Sequence, residues 1–201
     1  MKPLGPIVLR LDPIVEITDD VLLKLSSLND SLRLEKNAEG ALEILPPANI
    51  TTGNQNSNIN VDLGLWGRSD SRGIVFDSNA GFTLPNGAVR SPDASWVLKS
   101  RLAELTDEEK KRGFAHISPD FVIELRSSSD TLASIHRKMA EYMENGVRLG
   151  WLIDPLDPLR RVYVYRPDKS VEILEGPESI SGEPELPGFT LDLQPIWEPG
   201  F

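Results

Sequence analysis

With 201 residues, 39% of them hydrophobic and 26% charged, the chain is long enough to bury the core of one domain. Its composition is that of a globular rather than a disordered protein. It contains no cysteine and only two histidines, which excludes disulfides, thiolate metal sites and histidine-rich zinc centres. The net charge of −10 favours solubility and argues against a protein that coats nucleic acid electrostatically. It does not exclude an enzyme that grips phosphate locally through a metal ion.

The N-terminal segment is rich in proline and shows no signal-peptide pattern. Residues 1–17 predict a loosely packed arm. Residues 18–201 predict a single domain, since neither a linker nor an internal repeat divides them. No run approaches the roughly 18 apolar residues of a membrane span. We therefore expect a cytoplasmic protein without a membrane partner.

The first part of the domain predicts two helices with a hairpin between them. Thr18 is typical of a helix N-cap, and apolar residues at helical spacing follow it. The turn-forming residues 37–40 separate two predicted strands, 31–36 and 41–45. A second helix is predicted over residues 51–68. Its apolar face carries Ile59, Leu63 and Trp66, and its polar row carries Asn54, Asn58 and Asp62.

The second part predicts short strands and one amphipathic helix. The predicted strands cover 73–76, 81–84, 94–98, 121–125, 150–154, 161–166 and 171–174, and an apolar segment follows at 189–193. Residues 101–112 are rich in charge and predict a solvated surface helix or loop. The helix is predicted over residues 133–145, with Gly146 as its C′ residue. Its apolar stripe consists of Ile135, Met139 and Tyr142.

Glu124 interrupts the most apolar of these strands. Strand parity places Asp120, Val122, Glu124 and Arg126 on one face and Phe121, Ile123 and Leu125 on the other. One interpretation is an edge strand whose polar face meets water. The other is a carboxylate held rigidly to bind a divalent cation, because a buried charge is costly unless it is paired or bound to a metal.

Asp93 follows a proline at the start of a predicted strand. A Pro-Asp pair is common in turns, so the residue alone has a structural interpretation. Mg²⁺, however, prefers oxygen ligands, usually one or two carboxylates together with water and phosphate. Asp93 and Glu124 on neighbouring strands would supply such a pair.

Lys138 lies at the border of the apolar stripe of its predicted helix. One interpretation is a lysine whose stem packs while its amine reaches water. The other is an amine aimed at the carboxylates, where it positions a water or stabilises charge on a phosphate. Helical spacing alone does not separate the two.

Several short motifs follow one another in an order that resembles a known family. They are Arg33-Leu34-Glu35, Gly40-Ala41-Leu42-Glu43, Pro92-Asp93, Pro119-Asp120-Phe121-Val122-Ile123-Glu124-Leu125, Ser127-Ser128-Ser129-Asp130, Lys138-Met139-Ala140-Glu141-Tyr142, Gly146-Val147 and Trp151-Leu152-Ile153-Asp154-Pro155. Together they resemble the restriction-endonuclease-like family abundant in cyanobacteria, within the PD-(D/E)XK nuclease superfamily. The match covers residues 18–175.

This resemblance implies an α/β fold of the α+β type, in which helices flank a mixed central sheet, with an N-terminal helix and hairpin. It also implies a homodimer and an endonuclease that acts on DNA with Mg²⁺, or Mn²⁺, as cofactor. Asp93 and Glu124 match the metal-binding acids of the family. Lys138 matches a catalytic lysine on the following helix, and Glu35 matches an acid that completes the site. Asp120 is implied as a support residue.

The sequence departs from the family pattern at two places. Position 126 is arginine where the superfamily has lysine; arginine cannot act as a base near neutral pH, but it can hold a phosphate. The family often has histidine near the start of the second helix, where this chain has Asn54 and Asn58. Arg126 is therefore a candidate for binding a flanking phosphate. Arg90, Arg137 and Arg148 are candidates for DNA contact or ordinary surface charges.

Three functions remain open from the sequence. The first is a metal-dependent endonuclease acting on DNA, which the set of Asp93, Glu124 and Lys138 favours. The second is a catalytically inactive nuclease-like domain that binds nucleic acid or protein. The third is a Mg²⁺-dependent hydrolase of a smaller phosphoester. The net charge of −10 favours the second and third. Apolar strand residues such as Val162, Val164 and Phe189 fit either an interface or the core.

Overall fold

The computed structural model describes residues 5–111 and 113–200. Its helices are α1 (Asp19–Leu28), α2 (Ile50–Asp70), α3 (Lys99–Leu102), α4 (Asp107–Lys111), α5 (Leu132–Glu144) and α6 (Gln194–Trp197). Its strands are β1 (Ile7–Leu9), β2 (Arg33–Lys36), β3 (Leu42–Leu45), β4 (Gly73–Asp77), β5 (Phe82–Thr83), β6 (Val89–Arg90), β7 (Ala94–Leu98), β8 (Phe121–Leu125), β9 (Leu149–Asp154), β10 (Arg161–Tyr165), β11 (Glu172–Glu175), β12 (Ser179–Ser181) and β13 (Thr190–Asp192).

A six-stranded mixed sheet forms the centre of the molecule, in the order β11-β10-β9-β8-β7-β4. Only its β8 and β9 run parallel, and α5 connects them. This arrangement follows from topology, because parallel neighbours need a long crossover whereas antiparallel neighbours need only a turn. The predicted α/β fold with a mixed central sheet between helices is confirmed.

Both faces of this sheet are covered. One face packs against α2 and the C-terminal segment, with Ile59, Trp151 and Phe189 among the buried residues. The other face packs against α5 through Met139 and Tyr142. Val162, Val164 and Phe189 are buried in the core, so the core interpretation of these residues is correct.

A smaller five-stranded sheet carries the N-terminal hairpin, in the order β1-β3-β2-β6-β5. The predicted hairpin forms its β2 and β3. The short linker 91–93 joins β6 of this sheet to β7 of the large sheet, so residues from both sheets meet there. β1 pairs with the edge of β3, and its three residues are exposed.

The helix predictions are confirmed in detail. Thr18 caps α1 by accepting a hydrogen bond from the Val21 amide at 3.3 Å. Gly146 follows α5 with φ of 93°, the left-handed conformation expected of a C′ glycine. The charged segment 101–112 contains the end of α3 and all of α4. Its Arg112 lies outside the described residues, as do residues 1–4 and 201. The division into an arm and a domain at residue 18 stays a prediction. No helix in residues 5–111 or 113–200 is both long and apolar enough to span a membrane.

Candidate active site

Glu124 lies on β8, an inner strand of the central sheet, and only 5% of the residue is exposed. The edge-strand interpretation is therefore wrong. Its Oε1 atom accepts a hydrogen bond from the Tyr142 hydroxyl at 2.8 Å and lies 2.9 Å from Lys138 Nζ. Both partners come from α5, which packs on this face of the sheet. A close approach of α5 to β9 makes this possible, since a Cβ on Gly150 would lie 2.6 Å from Met139 Cε.

Asp93 lies beside Glu124 at the start of β7, and 8% of it is exposed. Its Oδ2 atom accepts a hydrogen bond from the Leu125 amide at 2.9 Å. Its Oδ1 atom faces Arg33 at 3.7 Å and the Asn56 amide at 3.5 Å. The bond to the residue after Glu124 fixes Asp93 to β8, so the two predicted metal ligands are neighbours.

Lys138 reaches inward from α5. Its Nζ atom lies 2.9 Å from Glu124 Oε1 and 3.0 Å from Glu35 Oε1, and its side chain is 17% exposed. This excludes the interpretation in which the amine extends to water. Burial alone would lower the pKa of Lys138, but the carboxylates of Glu124 and Glu35 raise it above its usual value. The amine therefore stays a cation at neutral pH.

Glu35, the predicted acid of the first hairpin, belongs to the same cluster but is fully paired. Its Oε1 atom accepts hydrogen bonds from Lys138 and from the Ser91 amide at 3.1 Å, and its Oε2 atom pairs with Arg90 at 3.1 Å. Burial alone would raise the pKa of Glu35, but Lys138 and Arg90 lower it. Glu35 therefore carries a stable negative charge that holds Lys138 in place.

Arg90 has a different position from the one predicted. It is 6% exposed, and its guanidinium contacts Glu35, Glu43 and Glu141 at 3.1, 2.7 and 2.6 Å. These partners lie on β2, β3 and α5, so Arg90 ties the hairpin to the helix that carries Lys138. A buried and paired guanidinium is not available to DNA, and the predicted DNA contact of Arg90 is not supported.

The other predicted residues lie around the cluster. Arg126 donates a hydrogen bond to the buried Asp154 at 2.7 Å, and its Nε atom is buried without a partner among the described residues. Arg137 and Arg148 are exposed. Asp120 accepts a hydrogen bond from the Leu98 amide and pairs with Arg101 at 3.0 Å, which is a support role.

Two asparagines of α2 that are not among the predicted site residues face the site. Asn56 lies 3.5 Å from the Asp93 carboxylate, and Asn60 donates a hydrogen bond to the Asp93 carbonyl at 3.0 Å. Asn54 and Asn58, which lie in the region where the family often has histidine, instead bond to each other at 3.3 Å. The only available signal was the four-residue spacing of Asn56 and Asn60 beside the apolar face. Tyr142 was predicted only as a core residue, yet its hydroxyl bonds to Glu124.

Glu124 and Asp93 are the acids of the cluster that lack sufficient positive charge. Burial raises the pKa of Glu124 to about 7, since the negative charges of Asp93 and Glu35 offset much of the effect of Lys138. Burial likewise raises the pKa of Asp93, although Arg33 opposes it. A bound cation would favour the ionised form of both groups.

The raised pKa of Glu124 predicts a pH-dependent stability of the metal-free protein. Because the folded-state value of about 7 lies above the ordinary 4.5, the stabilisation is present below pH 4.5 and is lost as pH rises through 7. In EDTA, we expect wild type to lose on the order of 3 kcal/mol relative to Glu124→Gln between these limits. Urea denaturation of both proteins across this range measures the difference. A difference that does not change with pH would contradict the raised pKa.

A model of the Uma2 family, described as "Putative restriction endonuclease", matches residues 19–194, most of the chain. The chain belongs to the Uma2 family. The restriction-endonuclease-like family predicted from the sequence is thus confirmed. A solved structure from Anabaena variabilis, described as "a putative nuclease belonging to DUF820", has a TM-score of 0.74 at 21% identity, covering 90% of this chain and 98% of that one. At this identity the likeness shows the fold. A search among curated proteins finds no match.

The donor set of this Uma2 family member fits a hard divalent cation. Five carboxylates meet three basic side chains here, so the cluster carries two excess negative charges when all of these groups are ionised. These groups are Asp93, Glu124, Glu35, Glu43 and Glu141 with Lys138, Arg90 and Arg33. Within the described part of the chain, no group of three or more His, Cys, Asp or Glu residues is placed to hold a metal. Two carboxylates with water and phosphate oxygens suffice for Mg²⁺ but not for a structural zinc site.

Proposed function

We propose that the protein is a divalent-metal-dependent endonuclease that hydrolyses phosphodiester bonds in DNA. The observation that carries this proposal is the pair Asp93 and Glu124. Both acids are buried side by side with raised pKa values, and the Lys138 ammonium lies against one of them. Such an arrangement is costly to folding and is explained by a cation that binds there. Membership of the Uma2 family supports nuclease chemistry.

In the proposed site, Asp93 and Glu124 hold Mg²⁺, with Mn²⁺ as a substitute. The ion would polarise a phosphodiester oxygen and lower the pKa of a bound water. In the metal-free cluster the carboxylates of Glu124 and Glu35 raise the pKa of Lys138 and keep it protonated, so we assign it the role of a hydrogen-bond donor rather than that of a base. It therefore orients the attacking water by donating hydrogen bonds, or offsets negative charge that develops on the phosphate. Glu35 fixes the direction of the ammonium at 3.0 Å.

The site has an ammonium group although position 126 is arginine, because Lys138 supplies it. Lys138 brings its amine to 2.9 Å from the same Glu124 side chain, from α5 instead of from β8. Arg126 comes directly after β8 and donates to Asp154 through one nitrogen, and its remaining N–H donors would bind a phosphate flanking the scissile one. The exposed Arg137 would contact the DNA backbone. This arrangement favours an active enzyme over the catalytically inactive binding domain.

Cleavage of supercoiled plasmid DNA by the wild-type protein tests the proposed function. We expect nicking in Mg²⁺ or Mn²⁺ and none in EDTA, together with binding of Mn²⁺ by calorimetry. Metal binding without nicking, for a protein that is folded, would favour the inactive binding domain. Nicking of a small phosphodiester but not of DNA or RNA would favour the third hypothesis. The absence of both metal binding and nicking would overturn the proposal.

A homodimer and a cytoplasmic location complete the proposal. The dimer rests on the family resemblance, and light scattering on the purified protein measures it directly. A monomer that still nicks DNA would remove the dimer from the proposal without affecting the chemistry.

A further inference from the structure

Arg33 lies beside the carboxylate of Asp93, the proposed metal ligand. It shares a strand face with Glu35, the residue that holds Lys138. Both Arg33 and Glu35 belong to β2, and residues two apart on a strand point to the same face. The Arg33 NH1 atom is 3.7 Å from Asp93 Oδ1, and its NH2 atom donates to the Ser91 carbonyl at 3.3 Å. Its side chain is 37% exposed, so it borders both the buried site and solvent.

The other basic groups at the site already have close carboxylate partners. Lys138 contacts two carboxylates within 3.0 Å, Arg90 contacts three, and Arg126 bonds to Asp154 at 2.7 Å. The distance from Arg33 to Asp93 is instead beyond hydrogen-bonding range. Among the described residues, the guanidinium of Arg33 uses one of its five N–H donors, in the long bond to Ser91.

This loose pairing makes Arg33 available to an anion. A cation on Asp93 would weaken the attraction between that carboxylate and Arg33, which leaves the guanidinium free to turn toward another acceptor. A phosphate bound next to Asp93 would come within reach of it. The planar guanidinium can hold two phosphate oxygens at once, which lysine cannot do.

We propose that Arg33 binds a non-bridging oxygen of the scissile phosphate and stabilises the charge that develops on it. This inference rests on the proposed function, since it takes a phosphodiester as the substrate of the site. It assigns to the first hairpin a role in substrate binding. Arg33 from the hairpin and the metal ligands of the central sheet would then bind the same phosphate, next to Asp93.

Binding of a short fluorescein-labelled DNA duplex, measured by anisotropy, tests this role without requiring cleavage. Ca²⁺, which also takes oxygen ligands, serves as the metal, and EDTA gives the metal-independent baseline. We expect Arg33→Ala to weaken the Ca²⁺-dependent affinity by about tenfold and to reduce the slope of log affinity against log salt by about 1. The Ca²⁺-dependent affinity of Arg33→Lys should lie between those of Arg33→Ala and wild type, because lysine keeps the charge but lacks the planar, forked set of N–H donors of arginine.

Arg68→Ala is the matched control, because it removes one exposed arginine of α2 and the same charge. It should leave duplex binding unchanged. Mn²⁺ affinity separates phosphate binding from a structural role: Arg33→Ala should bind Mn²⁺ at least as tightly as wild type, since a positive neighbour of Asp93 is gone. In the nicking assay we expect a loss on the order of 10²-fold in rate. Arg33→Lys keeps the test usable if the alanine variant does not fold.

Three outcomes would overturn the assignment. In the first, Arg33→Ala binds the duplex in Ca²⁺ as tightly as wild type. In the second, it loses Mn²⁺ affinity, which would make Arg33 a structural partner of Asp93. In the third, wild type gains no duplex affinity from Ca²⁺. Failure of the proposed function differs from these: wild type would then bind the duplex through Arg33 in Ca²⁺ but never nick DNA in Mg²⁺ or Mn²⁺.

Discussion

We expect Asp93→Asn and Glu124→Gln each to lower the rate of metal-dependent plasmid nicking by on the order of 10³-fold or more. Each change removes the negative charge of one proposed ligand but keeps its shape. The neutral side chains can still accept the hydrogen bonds from the Leu125 amide and the Tyr142 hydroxyl. The fold should therefore persist while the affinity for the cation is lost.

Calorimetric titration with Mn²⁺, alongside the nicking assay, measures both effects. Glu144→Gln is a matched control, since it removes one exposed carboxylate from α5, near the site in the chain but directed to solvent. It should retain wild-type metal binding and nicking. If both ligand variants bound Mn²⁺ as wild type does, the metal would not lie between Asp93 and Glu124. Nicking that survived in both would point to a contaminating nuclease.

The local pattern of the sequence was sufficient for most elements of the fold. The helix predicted over residues 51–68 extends over Ile50–Asp70, because its apolar positions recur with helical spacing and pack on the central sheet. The strand predicted at 81–84 is shorter, covering Phe82–Thr83. Its length is set by its antiparallel pairing with the two residues of β6, which no local signal encodes.

The site was predictable where its residues lie on strongly patterned elements. Glu124 stands out because it breaks an apolar strand, and Lys138 because it borders an apolar stripe. Asn54 and Asn58, in the region where the family often has histidine, lie two positions before Asn56 and Asn60, which face Asp93. Successive residues of a helix are about 100° apart, so an offset of two residues turns a side chain to the far side. The orientation of α2 depends on its packing against β4 and β7, not on its own sequence.

The burial of Arg90 could not be predicted from the sequence, because its surroundings are non-local. Its three carboxylate partners lie 47, 51 and 55 positions away in the chain and come from three different elements. Nothing in the sequence of the short strand β6 indicates that Arg90 is buried or that it is paired with carboxylates. The sequence therefore leaves DNA contact and ordinary surface charge as the alternatives for Arg90, whereas the folded chain uses it to hold the acids of the site together.

Lys138→Met should reduce the nicking rate by about 10²- to 10³-fold without loss of metal binding. Methionine keeps an unbranched stem for packing against α5's neighbours but removes the charge that lies 2.9 Å from Glu124 and 3.0 Å from Glu35. Without a positive competitor beside Glu124, the affinity for Mn²⁺ at about pH 8.5, where the carboxylate is ionised, should equal or exceed that of wild type. A lower nicking rate together with an equal or higher Mn²⁺ affinity is therefore the result expected of a catalytic role for Lys138.

Single-turnover nicking and Mn²⁺ titration on the same preparation measure this separation. Lys138→Arg restores the charge, but in a planar group that is longer and differently directed. We therefore expect it to restore only part of the geometry with which Lys138 contacts Glu35 and Glu124. Arg137→Met is the matched control, because it removes the neighbouring, exposed cation of α5. It should affect duplex affinity more than the rate of the chemical step.

The alternative role of Lys138 is structural, as a counter-ion that allows Glu35 and Glu124 to be buried. In that case Lys138→Met would lower the free energy of unfolding and the metal affinity together, and the rate per metal-bound molecule would stay near that of wild type. Glu35 has partners besides Lys138, because Arg90 and the Ser91 amide also pair with its carboxylate. Arg90 is shared with Glu43 and Glu141, so Lys138 still neutralises part of the charge on Glu35. The two roles differ at Glu124, the other partner of Lys138 and the acid that also faces the proposed metal. A lysine fixed by one anion and directed at the other is better explained by chemistry on a bound phosphate than by the stability of the fold.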